Sequence, residues 1–199
     1  MKKLLVFFTC VLFTVACGGG DKKPKNMGNG GKSIVCFGDS LTAGYGASYN
    51  TSFPAVLGTL TKRPVINLGV SGDTSGDGVA RMNKIFENNP YMVLIQFGGN
   101  DFRRQIPPQT VKRNILTIIR EVQAHGAIAA VVDTESSSYM GNYSKVMKEA
   151  AKETNSLYIE PILDGILNNK ALKSDQVHPN EAGYRIIAER IFKQIKDFL

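Results

Sequence analysis

Histidine and cysteine are scarce in this chain, two and three in 199 residues. None of them stands at metal-ligand spacing, so neither a zinc centre nor any other metal site is expected. No stretch reaches the ~20 apolar residues that span a bilayer comfortably. A G-x-S-x-G elbow occurs nowhere, which argues against the α/β-hydrolase fold. Nor do the basic residues gather: 24 Lys and Arg against 17 Asp and Glu give +7. They are scattered over helical segments without interleaved aromatics, the pattern of a solvated surface and not of a nucleic-acid interface.

What is present begins with a leader. Lys2 and Lys3 precede an apolar run over residues 4–16, the layout of a secretory signal. Thr14, Val15, Ala16 and Cys17 resemble the bacterial lipobox, in which the cysteine is acylated and becomes the new first residue; leucine is usual where Thr14 stands, so cleavage as a plain signal peptide is the alternative. Either way residues 1–17 direct the protein out of the cytoplasm. A lipid on Cys17 would anchor it to a membrane of the cell envelope, on the periplasmic or surface side. Residues 18–32 are rich in Gly, Lys and Asn without apolar periodicity, and read as a flexible tether of roughly 20 Å r.m.s. reach. With Cys10 in the leader and Cys17 lipidated, Cys36 is left alone as a small core residue and no disulfide is possible.

The remaining residues, 33–199, suffice for one domain with a substantial core, expected to act as a monomer. Short apolar runs at residues 34–37, 65–68, 92–97, 128–132 and 157–159 predict five strands. They alternate with helices marked by apolar residues at helical spacing, among them Val111, Ile115, Ile118, Ile119 and Val122. A second helix is predicted through Val79, Met82, Ile85 and Phe86, and a last one from about Asn180. Five strands alternating with helices predict an α/β fold, a parallel sheet covered on both faces by right-handed crossovers. That topology gathers the turns after the first three strands, and the loop before the last helix, along one edge, where open α/β sheets keep their ligands.

Each of those segments carries usable chemistry. Ser40 offers an oxygen nucleophile, which needs a base to take its proton. His178 is the better of the two histidines for that, since His125 closes an amphipathic helix just before Gly126, where a favourable C-terminal charge explains it. Asp175, three residues before His178, can fix its tautomer and stabilise the imidazolium. The N–H of Ser40, the N–H of Gly72 and the carboxamide of Asn100 can serve an oxyanion. Singly these are ordinary turn residues; their concurrence on one sheet edge is what points to acyl transfer.

Gly38-Asp39-Ser40-Leu41, the turn containing Gly72, Gly98-Gly99-Asn100-Asp101 and Asp175-Gln176-Val177-His178-Pro179 resemble, in order, the four blocks of the GDSL or SGNH hydrolases. The resemblance covers residues 33–199. It implies a flavodoxin-like three-layer α/β/α fold, a triad of Ser40, His178 and Asp175, an oxyanion hole from Ser40, Gly72 and Asn100, and no cofactor. Within the family the blocks look most like the bacterial secreted thioesterase, arylesterase and lysophospholipase branch. The expected partner is therefore a small ester or acyl substrate, hydrolysed through an acyl-serine intermediate. Two alternatives stand beside this: an esterase removing acetyl groups from a polysaccharide, for which Ser136, Ser137 and Ser138 would suit sugar hydroxyls, and a non-enzymatic envelope lipoprotein. Residues 102–108 and 134–143 are expected to line the acyl pocket.

Overall fold

The computed structural model describes residues 23–134 and 140–199. The leader with Cys17, residues 18–22 of the expected tether, and residues 135–139 with the three serines lie outside the described residues. Five strands, β1 (Ser33–Gly38), β2 (Val65–Gly69), β3 (Pro90–Gln96), β4 (Ile128–Val132) and β5 (Leu157–Ile159), form one parallel sheet in the order β2-β1-β3-β4-β5. This is the flavodoxin-like order, in which the winding reverses between β1 and β3 and opens a crevice beyond their carboxyl ends.

β1, β3 and β4 are buried along their whole length, which is why they read as unbroken apolar runs. Successive side chains feed two separate cores. Ile34, Cys36, Met92 and Leu94 pack with Phe53 and Leu57 of α2 (Phe53–Thr61) and with Tyr184, Ile187 and Ile191 of α7 (Glu181–Ile195). On the other face Val35, Phe37, Val93 and Ile95 meet Ile115, Ile118 and Ile119 of α5 (Pro108–Ala124) and Met147 and Ala150 of α6 (Gly141–Glu153), with Val79 of α3 (Ser75–Arg81) at the margin. Cys36 is a free, fully buried thiol whose pKa burial pushes up, so it packs as a small apolar side chain. The helix expected through Phe86 is shorter: α3 stops at Arg81 and a 3-10 segment, Met82–Asn88, carries Ile85 into the core.

The tether needs correction over its described part. Pro24 is buried, and Asn155 Nδ2 donates to Lys23 O at 3.0 Å. Asn26 Nδ2 donates to Gln123 O and Ala127 O at 2.8 and 3.0 Å, and Asn29 Nδ2 to Tyr91 O at 3.0 Å. Residues 23–32 are thus fastened across the amino ends of the strands. Asparagine and glycine, abundant here for their turn geometry (Asn26 φ 66°, Gly28 φ 80°), let the chain fold back and present side-chain amides to main-chain carbonyls there.

Candidate active site

The carboxyl end of β1 runs straight into a four-residue helix, α1 (Ser40–Ala43), capped by Asp39, whose Oδ1 accepts from Leu41 N at 3.0 Å. Ser40 is the first residue of that helix, so its N–H has no intrahelical partner. This close turn over the sheet depends on Gly69 of β2, where a Cβ would stand 2.1 Å from Ala43 N.

His178 arrives from a loop closed by an antiparallel bridge between Lys173 and Pro179 and by Ser174 N donating to His178 O at 2.9 Å. Asp175 organises this loop: its Oδ1 accepts from Val177 N and His178 N, both at 2.8 Å, and its Oδ2 meets His178 Nδ1 at 2.8 Å. Burial alone would raise the Asp175 carboxyl, but the hydrogen bonds from Val177 N, the His178 ring and His178 N outweigh it and hold the group below its ordinary value. The other ring nitrogen, Nε2, lies 2.9 Å from Ser40 Oγ. A continuous line of proton-transfer partners therefore joins residues 138 positions apart in the chain. His125 is not part of it: its Nδ1 bonds Glu121 O at 2.9 Å and its ring stacks on Phe86.

Gly72 occupies the left-handed position (φ 89°) of a turn closed by Asp73 N to Val70 O at 3.2 Å, a conformation that glycine adopts without strain. Three partners hold the turn in place. Asn100, in α4 (Gly99–Arg103), donates one amide hydrogen from Nδ2 to Asp73 O at 2.9 Å and keeps the other. Arg104 donates to Gly72 O at 2.9 Å. Arg81 bonds Asp73 Oδ2 at 2.6 Å, Leu68 O at 2.8 Å and Gly38 O at 2.9 Å while lying over the Phe37 ring. Asp101, fully buried, accepts from Ser75 N and Oγ and so ties α4 to the start of α3. Arg81 is not distinguishable from a surface charge in the sequence, and Asp101 stands in the Gly98-Gly99-Asn100-Asp101 block without a role of its own.

Asp39 is a third residue that sequence reasoning leaves without a role. Its carboxyl is buried directly before Ser40, and burial pushes its pKa up to about 6; the Leu41 N–H and the Gln96 amide act in the opposite direction, Asp101 adds to the rise and His178 reduces it. Gln96 Oε1 accepts from Thr42 N and Oγ1.

Ser40 and His178 open onto a cleft with about 690 Å³ of free space, its open mouth included. Phe102, Arg103, Thr134 and Met140 line it as expected for the two loops, joined by Leu163, Leu167 and Val177 from the segment before α7. An activated hydroxyl, an imidazole oriented by a carboxylate, the Asn100 side chain lining the same cleft and an apolar slot together suit acyl transfer from an ester.

Comparison with known proteins agrees with that chemistry. The model of the GDSL-like lipase/acylhydrolase family matches residues 36–186. The chain is 29% identical over 173 residues to thioesterase 1/protease 1/lysophospholipase L1 of Escherichia coli, covering 82% of this chain and 83% of that protein. It is 29% identical over 181 residues to an acetylxylan esterase of Geobacillus stearothermophilus, covering 78% and 82%. The crystal structure of TesA superposes with a TM-score of 0.79 at 24% identity, covering 84% of this chain and all of the other, a likeness of fold.

Proposed function

Since the chain belongs to the GDSL-like lipase/acylhydrolase family, we propose that it is a serine hydrolase of carboxylic esters or thioesters, of the thioesterase, arylesterase or lysophospholipase type. The observation that carries the reading is the Ser40 Oγ–His178 Nε2 distance of 2.9 Å with Asp175 behind the ring at 2.8 Å. Ser40 Oγ attacks the acyl carbon as His178 Nε2 takes its proton, and Asp175 stabilises the imidazolium that forms. The negative oxygen of the tetrahedral intermediate lies against Ser40 N–H, Gly72 N–H and the second hydrogen of Asn100 Nδ2. His178 then returns the proton to the departing alcohol or thiol, leaving an acyl-Ser40 ester. Water, deprotonated by the same imidazole, releases the acid and restores Ser40.

A fluorophosphonate probe tests this directly. The adduct is expected on Ser40, and labelling that persists in Ser40→Ala overturns the assignment. A second reading, removal of acetyl groups from a polysaccharide, is supported by the acetylxylan esterase similarity. It predicts a preference for acetylated sugars over nitrophenyl octanoate, whereas the leading one, supported by the apolar cleft lining, predicts the reverse.

We also propose that the protein is exported and held to an envelope membrane as a monomer through Cys17, a reading supported by its leader. Five residues separate Cys17 from the fastened Lys23, and fully extended they span at most about 20 Å. That length is too short to wrap a domain roughly 40 Å across. The cleft, at the opposite ends of the strands, would therefore face away from the anchoring bilayer. Radiolabelled palmitate incorporated into the wild type and absent from Cys17→Ser tests the anchor.

A further inference from the structure

The cleft is not uniformly apolar. Against Leu41, Phe102, Met140, Leu163 and Leu167 stands one strongly basic side chain, Arg103, exposed in the last turn of α4. Its two nearest counterparts are engaged, Arg104 with Gly72 O and Asp77, and Arg81 with Asp73. Arg103 has no hydrogen-bond, ion-pair or ring partner among the described residues. The described acids nearby are committed elsewhere: Asp175 to His178, Asp101 to Ser75, and Asp39 to Leu41 N. Among the described residues, therefore, no carboxylate pairs with the positive charge at the mouth.

Its position fixes what it can read. Arg103 follows Asn100 by three residues in one helix, so the two side chains rise from the same face with Cβ atoms about 5–6 Å apart. A guanidinium there lies within reach of a group a few bonds from the carbonyl held by Asn100. An anion placed among the leucines of the slot would lose its hydration without a partner, so the slot suits the acyl chain. The alcohol part leaves through the open mouth, where Arg103 stands. Resting on the hydrolase reading above, we propose that Arg103 is a specificity-determining residue that pairs with an anionic group, phosphate or carboxylate, on the alcohol part of the ester. The substrate class is then an amphiphilic ester with an apolar acyl chain and an anionic headgroup.

The test compares 1-octanoyl-lysophosphatidylglycerol with 1-octanoylglycerol, which share the acyl chain and differ in the anion. The wild type should prefer the anionic ester in kcat/KM, and Arg103→Gln should reduce that preference about tenfold, as expected for loss of a charge-assisted pair. The change should lie mainly in KM, because such a pair holds ground and transition states alike. Arg103→Lys should retain part of the preference, and added salt should shrink it in the wild type. Absence of any preference in the wild type, or an equal effect of Arg103→Gln on both esters, overturns the inference. So does a stronger Arg103 dependence with nitrophenyl hemiglutarate, whose anion sits on the acyl side. Hydrolysis of neither ester, with Ser40 unlabelled by the fluorophosphonate, would instead remove the hydrolase reading beneath it.

Discussion

Asp39→Asn should make the protein more stable at neutral pH and leave it nearly unchanged in acid. The Asp39 carboxyl is raised from 3.8 to about 6 by burial. At 1.36 kcal/mol per pK unit this rise corresponds to a cost of about 3 kcal/mol for keeping the group ionised in the folded state. The folded protein binds this proton more tightly than the unfolded chain, so stability declines as pH rises through the window from 3.8 to about 6. The full cost is present above that window and absent below it. Asparagine keeps the oxygen that accepts from Leu41 N and cannot ionise. Weakening of that hydrogen bond offsets part of the gain, leaving about 1–3 kcal/mol at pH 8. For a domain of this size that is a rise in Tm of roughly 3–10 °C. Thermal unfolding of both proteins at pH 4 and pH 8 measures it. A Tm difference that is the same at both pH values, or a variant less stable at pH 8, would show that Asp39 is not a buried carboxylate held at a cost. Turnover should fall in the variant, because Asp39 precedes Ser40 and its charge faces His178.

Three further outcomes are expected. Asn100→Ala should lower kcat by ~10²–10³, while Ser40→Ala falls to background in the same nitrophenyl ester assay; equal losses would mean that Asn100 does more than donate to the oxyanion. Relative to a chain lacking residues 1–22, one lacking residues 1–32 should be about 2–4 kcal/mol less stable in urea, since Asn26 and Asn29 each satisfy main-chain carbonyls of the body. Arg81→Met leaves Asp73 and two carbonyls without their partner and should cost about 2–4 kcal/mol; kcat should fall with it, and Arg81→Lys should recover stability better than kcat.

How much of this is legible in the sequence depends on where the partners of each residue lie. β1, β3 and β4 announce themselves because a strand buried on both faces has no polar positions to interrupt it. The site blocks are legible because each lies directly after a strand or directly before α7, so the sheet topology alone brings them together. Asp175 and His178 add a local signal, being close enough in sequence to meet across one loop. Arg81 has none. Its acceptors are the Asp73 carboxylate, eight residues back across a turn, and carbonyls 13 and 43 residues away; an eight-residue spacing across a turn is no recognisable pattern, and main-chain oxygens leave no mark on composition or spacing. Residues 23–32 mislead for a related reason: the Gly and Asn content of a free linker is also that of a segment folded tightly against carbonyls at strand starts. Leu163 and Leu167 are likewise hidden as cleft lining, since they belong to an irregular segment without periodicity.

The two halves of the site are held by different means, and this separates what mutation should do to each. The groups proposed as oxyanion donors, at Ser40, Gly72 and Asn100, sit on short helices and a turn held by Arg81, Asp101 and Ser75, side chains buried in the body of the domain or nearly so. Disturbing them disturbs packing. Asp175, by contrast, is 43% exposed on a loop that closes upon itself, so its ion pair with His178 is screened by water and adds little to folding. Such a division follows from the chemistry: donors facing a developing charge must be fixed before it appears, whereas an imidazole that passes a proton between Ser40 and a departing group needs only to keep its orientation. Loss of the acid–base limb should therefore reduce turnover without unfolding the chain, and loss of the oxyanion side should reduce both.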